Sequence, residues 1–409
     1  QVCRYHHKPA LRLAKMVRNL GLFAALVASS TRPLGAFLHA GRVKSSSTVI
    51  QNTSSPWGVD ADLTRALQDR LNVIAPNSIQ AEVLPLVLGG QDVVIVAQTG
   101  SGKTLTFLLP ILQKMRGADG DDSQDNSRPL ALVLAPTDLL LGQHKYVAER
   151  ILADTSGILF STPSSLLQSL AENKVSLDRL QTIAIDEADA VLYDDEVSTT
   201  SLLDALPKEA QFILTTAYLT PEHERALLQE DFKDATFVQE KNSGNRRMGV
   251  LVPTLRQKFK YFSGDKEDKL VDVIQNVDDW LSQGSTIIFC GSVESAEQIQ
   301  RRISSTLQTN VDLLHENLPQ ETHNNLVASL RNKQKNDQVF LVCTDLAARG
   351  LDVPNVRHVI LYDVPTDMAS FIHQVGRTAR RGQQGLVTCL AKIGSADFRR
   401  YSHLHSLKD

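Results

Sequence analysis

Two short stretches of this chain carry the residue types that phosphate chemistry needs. Ala97-Gln98-Thr99-Gly100-Ser101-Gly102-Lys103-Thr104 is a small, glycine-rich run closed by a lysine and a hydroxyl. Gly100 and Gly102 let the backbone turn its N–H groups inward around a phosphate. A helix starting at Lys103 adds its positive end. Lys103 supplies a point charge to the β- and γ-phosphates, and Thr104 a hydroxyl to Mg²⁺. The second stretch is Asp186-Glu187-Ala188-Asp189. Asp186 is placed to hold Mg²⁺ through water, and Glu187 to polarise an attacking water. Alone, this tetrad reads equally as an exposed acidic turn; behind a phosphate loop it reads as the second half of a nucleotide-hydrolysing site.

These groups need a scaffold that presents both to one crevice. DVVIV precedes the phosphate loop and TIAI precedes the acids. Further short apolar runs (LALVLA, GILFS, FILTT, STIIFC, VFLVC, HVILYD) alternate with amphipathic stretches such as TRALQDRL and SAEQIQRRI. Continuous apolar strands alternating with helices predict an α/β fold of parallel sheets covered on both faces. Loops and acids at the carboxyl ends of such strands line the ligand crevice. The stretch Lys241–Pro253 breaks the pattern with Gly, Asn, Arg and Pro and is predicted to be a linker. It separates two α/β domains, 57–240 and 254–409. The acidic stretch 117–127 is predicted to be an exposed loop within the first.

Residues 1–56 differ in kind. The first 59 residues hold eight Lys or Arg and no acid, leaving 35 basic and 46 acidic residues in 60–409, a balance of −11. A leader rich in Arg, Ser and Ala and free of acids predicts an organelle transit segment, mitochondrial ahead of plastid; from Met16 the chain also resembles a signal-peptide start. Its plain alternative is a solvated basic tail. No apolar run reaches membrane-spanning length, so no membrane association is expected. The four cysteines are scattered without a C-x-x-C pair, which argues against zinc and a disulfide framework; Cys290 and Cys343 are expected to be buried strand thiols.

AQTGSGKT and DEAD, followed by TDLAARGLD and HQVGRTARRG, resemble the DEAD-box family of ATP-dependent RNA helicases over residues 57–395. The resemblance implies two tandem RecA-like domains, each a parallel sheet flanked by helices, acting as a monomer with ATP and Mg²⁺ and with RNA across the cleft. It assigns Ala97 to Thr104 and Gln80 to ATP, Gln80 reading the adenine edge, with an upstream aromatic for stacking, to which Trp57 is nearest. It assigns Pro136, Thr137, Thr162, Thr344, Asp345, Arg349 and Gly350 to RNA and Asp352 to the ribose. Glu187 and Lys103 act in catalysis with Arg377 and Arg380, which resemble fingers reaching the γ-phosphate when the cleft closes. Asp189, Thr216 and His373 couple the halves.

The departures from the family pattern cluster on the RNA side. Asp138 stands for an arginine, Ser164-Ser165 for Gly-Arg, and Thr216-Ala217-Tyr218 for Ser-Ala-Thr. His323 and Gln374 also replace arginines, and the Gln143–Thr162 spacing is short, as though a strand and a Gly-Gly contact were missing. RNA binding is therefore expected to be backbone-directed and salt-sensitive. The leading expectation is an RNA-stimulated ATPase that opens short duplexes in organelle RNA processing or ribosome assembly, with protein partners there. The alternatives are an ATP-gated RNA clamp with little unwinding, and a phosphate-loop ATPase acting on DNA or protein.

Overall fold

The computed structural model describes residues 55–117, 127–193, 196–227, 232–240, 254–278, 281, 283–333, 339–348, 351 and 353–394. The leader, the linker 241–253, most of the acidic loop 117–127 and three site residues (Arg349, Gly350, Asp352) lie outside them.

The elements alternate as the apolar runs predict. They are α1 (Ala61–Leu71), α2 (Ser78–Leu88), β1 (Val93–Val96), α3 (Lys103–Arg116), β2 (Ala131–Leu134), α4 (Asp138–Ile151), β3 (Ile158–Ser161), α5 (Pro163–Ala171), β4 (Thr182–Asp186), α6 (Ala188–Tyr193), α7 (Glu196–Ala205), β5 (Gln211–Thr216), α8 (Pro221–Ala226) and β6 (Thr236–Gln239). A second series follows: β7 (Leu255–Phe262), α9 (Lys266–Gln275), β8 (Ser285–Cys290), α10 (Val293–Leu307), β9 (Asp312–Leu314), α11 (Gln320–Asn332), β10 (Phe340–Thr344), α12 (Asp345–Ala348), β11 (Val356–Leu361), α13 (Met368–Val375) and β12 (Gly385–Lys392).

Each series builds one six-stranded parallel sheet, ordered β3-β2-β4-β5-β1-β6 and β7-β12-β11-β8-β10-β9. Successive strand side chains point to opposite faces. In the first sheet Val93, Ile95, Val133 and Ile213 join one core, while Val94, Leu132, Leu134 and Leu214 join the other. In the second, Ile287, Phe289, Leu341 and Cys343 face one way and Ile288, Cys290, Val342 and Ile360 the other. Burial on both faces explains why the central strands read as unbroken apolar runs. The edge strand β7 (LRQKFKYF) is different: Arg256, Lys258 and Lys260 are exposed on alternate positions, which hid it from an apolar-run search.

Helices start where side chains satisfy their free N–H groups. Thr137 caps α4 through Leu140 N, Thr162 caps α5 through Ser165 N, and Asp367 caps α13 through Ser370 N. From α4 the chain passes directly to β3 through residues 152–157, so no further strand lies between Gln143 and Thr162. Cys290, Cys343 and Cys389 are free and buried in β8, β10 and β12. Among the described residues no helix is long and apolar enough to cross a membrane.

Candidate active site

β1 ends at the phosphate loop. Gly100 and Gly102 both have positive φ, +80° and +78°, a conformation that side chains rarely adopt. At Gly102 a Cβ would also lie 2.5 Å from Gln80 Nε2, so glycine is required twice over. Lys103 closes the loop, its Nζ donating to Ala97 O at 2.6 Å and Gln98 O at 2.8 Å. Burial lowers its pKa, and Asp186, Glu187, Asp189 and Glu240 oppose that shift. An ammonium that spends its donors on carbonyls of its own loop can exchange them for phosphate oxygens.

Gln80 belongs to this loop more than its role at an adenine edge implies. It is 3% exposed. Its Oε1 accepts from Asn77 N at 2.9 Å, completing a capping box at α2, and its Nε2 donates to Gly102 O at 2.9 Å. Asn77 Nδ2 adds a bond to Ser101 O at 2.7 Å. One end of the Gln80 amide thus braces the phosphate loop while the other caps α2. Trp57 is no stacking platform: it is 1% exposed and packed within the first core.

β4 delivers the acids. Asp186 is buried and receives Thr215 Oγ1 and Glu187 N on Oδ1. His144 of α4, 2% exposed, places Nε2 2.9 Å from Oδ2; the approach is close but poorly directed, and Nε2 makes no well-formed hydrogen bond. Burial pushes the Asp186 carboxyl up, but His144, Thr215 and Lys103 outweigh it and hold the group at about 2. Sequence reasoning missed His144, which sits between Gln143 and Lys145 with nothing in the spacing to mark it. Glu187 has φ +51°, a strained backbone for a non-glycine residue, and its Oε2 is buried without a partner.

These features fit a metal-bound triphosphate. Four carboxylates surround one ammonium, so a naked polyphosphate would meet excess negative charge, which a divalent cation would balance. Among the described residues no three His, Cys, Asp or Glu side chains converge as a ligand set. A Mg²⁺ bound here would be held by Asp186, the Thr104 hydroxyl and the phosphates, and would offset that negative charge.

The second sheet closes on the site. Gly376, just after α13, presents its carbonyl to Thr99 Oγ1 at 3.1 Å and to Arg380 Nε at 2.9 Å. Arg380 lies so close to the loop that a Cβ on Gly100 would stand 3.3 Å from its Cγ. Arg377 is placed differently: it is buried, and its Nη1 donates to Leu351 O at 3.0 Å, tying together two segments of its own sheet. His373 Nε2 stands 3.5 Å from Asp189 Oδ2. Asp189 in turn receives Thr216 Oγ1 at 2.6 Å, so the third acid stands between β5 and the opposite half. Ala217, with the partly buried Leu139 and Tyr218, packs against the core of the second sheet.

The residues assigned to RNA lie at element ends. Pro136 and Thr137 lead into α4, Thr162 caps α5, Thr344 ends β10 and Asp345 opens α12. Asp138, the first residue of α4, is exposed. Thr344 is buried, and its Oγ1 donates to Glu316 Oε2 at 2.6 Å.

The chain is similar to known proteins in sequence and in fold. The DEAD/DEAH box helicase family matches residues 77–157 and 145–226, and the helicase conserved C-terminal domain matches 265–382. The chain is 32% identical over 378 residues to the ATP-dependent RNA helicase dbp8 of Aspergillus oryzae, covering 84% of this chain and 80% of that one. It is 32% identical over 351 residues to the ATP-dependent rRNA helicase rrp3 of the same organism, covering 79% and 70%. The fold resembles S. cerevisiae Dbp5 bound to RNA and ADP BeF3, with a TM-score of 0.72 at 22% identity over 86% of this chain and 92% of that one. The two sheets are tandem RecA-like domains.

Proposed function

Since this chain belongs to the DEAD/DEAH box helicase family and is an ATP-dependent RNA helicase, hence an ATPase, we propose that it couples RNA-stimulated ATP hydrolysis to local opening of RNA duplexes. The observation that carries this reading is the convergence of the second domain on the phosphate loop, with Thr99 and Arg380 both bonded to Gly376 O. Lys103 binds the phosphates and Glu187 orients the attacking water. Arg380 supplies the cross-domain charge on the transferring phosphoryl group. Mg²⁺, when bound, neutralises charge on the β- and γ-phosphates. Arg377 acts indirectly, by holding the segment around Leu351. His373, Asp189 and Thr216 transmit the state of the cleft. Pro136, Thr137, Thr162, Thr344 and Asp345, with Arg349, Gly350 and Asp352, complete the RNA and ribose contacts, and the helix N-termini behind Thr137 and Thr162 favour backbone phosphates.

A second reading is an ATP-gated RNA clamp. The packing of Leu139, Ala217 and Tyr218 on the second domain's core supports it, because apolar surface buried across the cleft favours the closed state. Mixing duplex RNA with ATP and Mg²⁺ separates the two. Strand release by wild type and none by Lys103→Ala supports unwinding; RNA-stimulated turnover without release selects the clamp. Glu187→Gln traps an ATP-bound complex on RNA, and normal hydrolysis by that variant would remove Glu187 from the mechanism. The acid-free leader and the rRNA helicase among the relatives support a proposed place in organelle RNA processing or ribosome assembly. Imaging residues 1–60 fused to a fluorescent protein tests the address.

A further inference from the structure

We propose that Glu316 is a built-in competitor for the RNA backbone, occupying the Thr344 hydroxyl and setting how tightly, and at what ionic strength, the second domain takes RNA. The inference rests on the reading of Thr344 as an RNA contact. β9 and β10 run parallel, with Leu314 opposite Cys343, so Glu316 and Thr344 emerge side by side at their carboxyl ends. In an open α/β sheet that rim is where ligands bind. Thr344 is buried, and its one hydroxyl donor points to Glu316 Oε2 at 2.6 Å, the short distance of a bond to a charged acceptor. A phosphate oxygen or a ribose hydroxyl arriving at Thr344 needs that same donor.

The carboxylate also repels what it displaces. Glu316 is exposed, and among the described residues no Lys, Arg or His forms an ion pair with it. The chain from residue 60 onward carries 46 acids against 35 bases, so no general positive field offsets this charge. RNA must therefore displace a hydrogen-bonded anion and accept its proximity. One unpaired charge beside a phosphate at the protein surface lowers affinity by about tenfold at low salt, and salt screens the effect.

The test measures anisotropy of a labelled single-stranded RNA on the full chain with a non-hydrolysable ATP analogue, across a salt series of about 50 to 300 mM. Glu316→Gln keeps the shape and an acceptor but removes the charge; Glu316→Ala removes both. Each is expected to bind RNA about tenfold tighter than wild type at the low end and to converge with it at the high end. Affinity for a fluorescent ATP analogue without RNA stays constant. An unchanged RNA affinity for Glu316→Gln overturns the proposal while leaving the helicase reading intact. Binding by none of the three proteins overturns the RNA reading itself, and the proposal with it.

Discussion

Gly376→Ala tests the closed arrangement directly, because the added methyl group is aimed at the phosphate loop. A Cβ built on Gly376 falls 1.8 Å from Thr99 Oγ1, 2.8 Å from Thr99 Cβ and 2.9 Å from Ile372 O. Rotating Thr99 relieves the first contact but not the second. Carbon atoms prefer separations of about 3.5–4.0 Å, so the domains must part by roughly an ångström or distort locally. Overpacking of this kind costs about 1–3 kcal/mol, which lowers the closed population roughly 5- to 150-fold. ATP contacts in the first domain are untouched. RNA-stimulated turnover is therefore expected to fall within that range while a fluorescent ATP analogue still binds. Thr99→Gly removes both opposing atoms, so adding Gly376→Ala in that background leaves only the contact with Ile372 O and has a much smaller effect. The reasoning fails if Gly376→Ala turns over ATP at the wild-type rate. It fails equally if the loss is as large in the Thr99→Gly background, since the coupling between the two sites would then be nil.

Other expectations concern single side chains. Thr216→Val keeps the shape but leaves the buried Asp189 Oδ1 without its donor; a stability loss of about 2 kcal/mol in urea unfolding is expected, with unwinding reduced more than basal ATP turnover. Arg380→Ala is expected to abolish hydrolysis with ATP affinity and melting temperature unchanged. Arg377→Ala, by contrast, strands the buried Leu351 carbonyl and lowers stability by about 2 kcal/mol; equal melting temperatures for the two variants would contradict their separate placements. Burial, reinforced by Lys258, holds His358 at about 4 against an ordinary 6.5. The unfolded chain therefore takes up this proton first, so stability is full above pH 6.5 and falls as pH drops toward 4, by about 3 kcal/mol in all. His358→Leu flattens that part of the pH profile; an unaltered slope would place the titration elsewhere.

The catalytic centre was legible where chemistry is local in the chain. The phosphate loop and the acid tetrad each join consecutive residues to a strand end, and the strands they need are buried on both faces, so their apolar runs stand out. β6, β7, β9 and β12 were not read as apolar runs: polar residues bound or interrupt β6 and β12, β7 is a charged edge strand, and β9 has only three residues. Placement across the fold was also hidden. No spacing rule shows that His144 on α4 turns toward Asp186, that the Gln80 amide spends both ends on the protein, or that Arg377 is buried while Arg380 lies against the loop. Trp57 illustrates the same limit: its aromatic type suited stacking, but only the packed core shows that it is enclosed. The short spacing before Thr162 suggested a missing strand, and the helix before it does pass straight to β3 with no strand between them.

The three described thiols all sit in the second sheet, with Cys290 and Cys389 pushed up to about 12 chiefly by burial. A maleimide or disulfide reagent reacts with the thiolate, so these positions stay silent until their strands separate. Among the described residues the first domain has no thiol. Pulsed alkylation followed by peptide mass spectrometry would therefore clock the opening of the second domain alone, in unmodified protein. Repeated with and without nucleotide, it would show whether a ligand held by the first domain's loop slows unravelling of its neighbour.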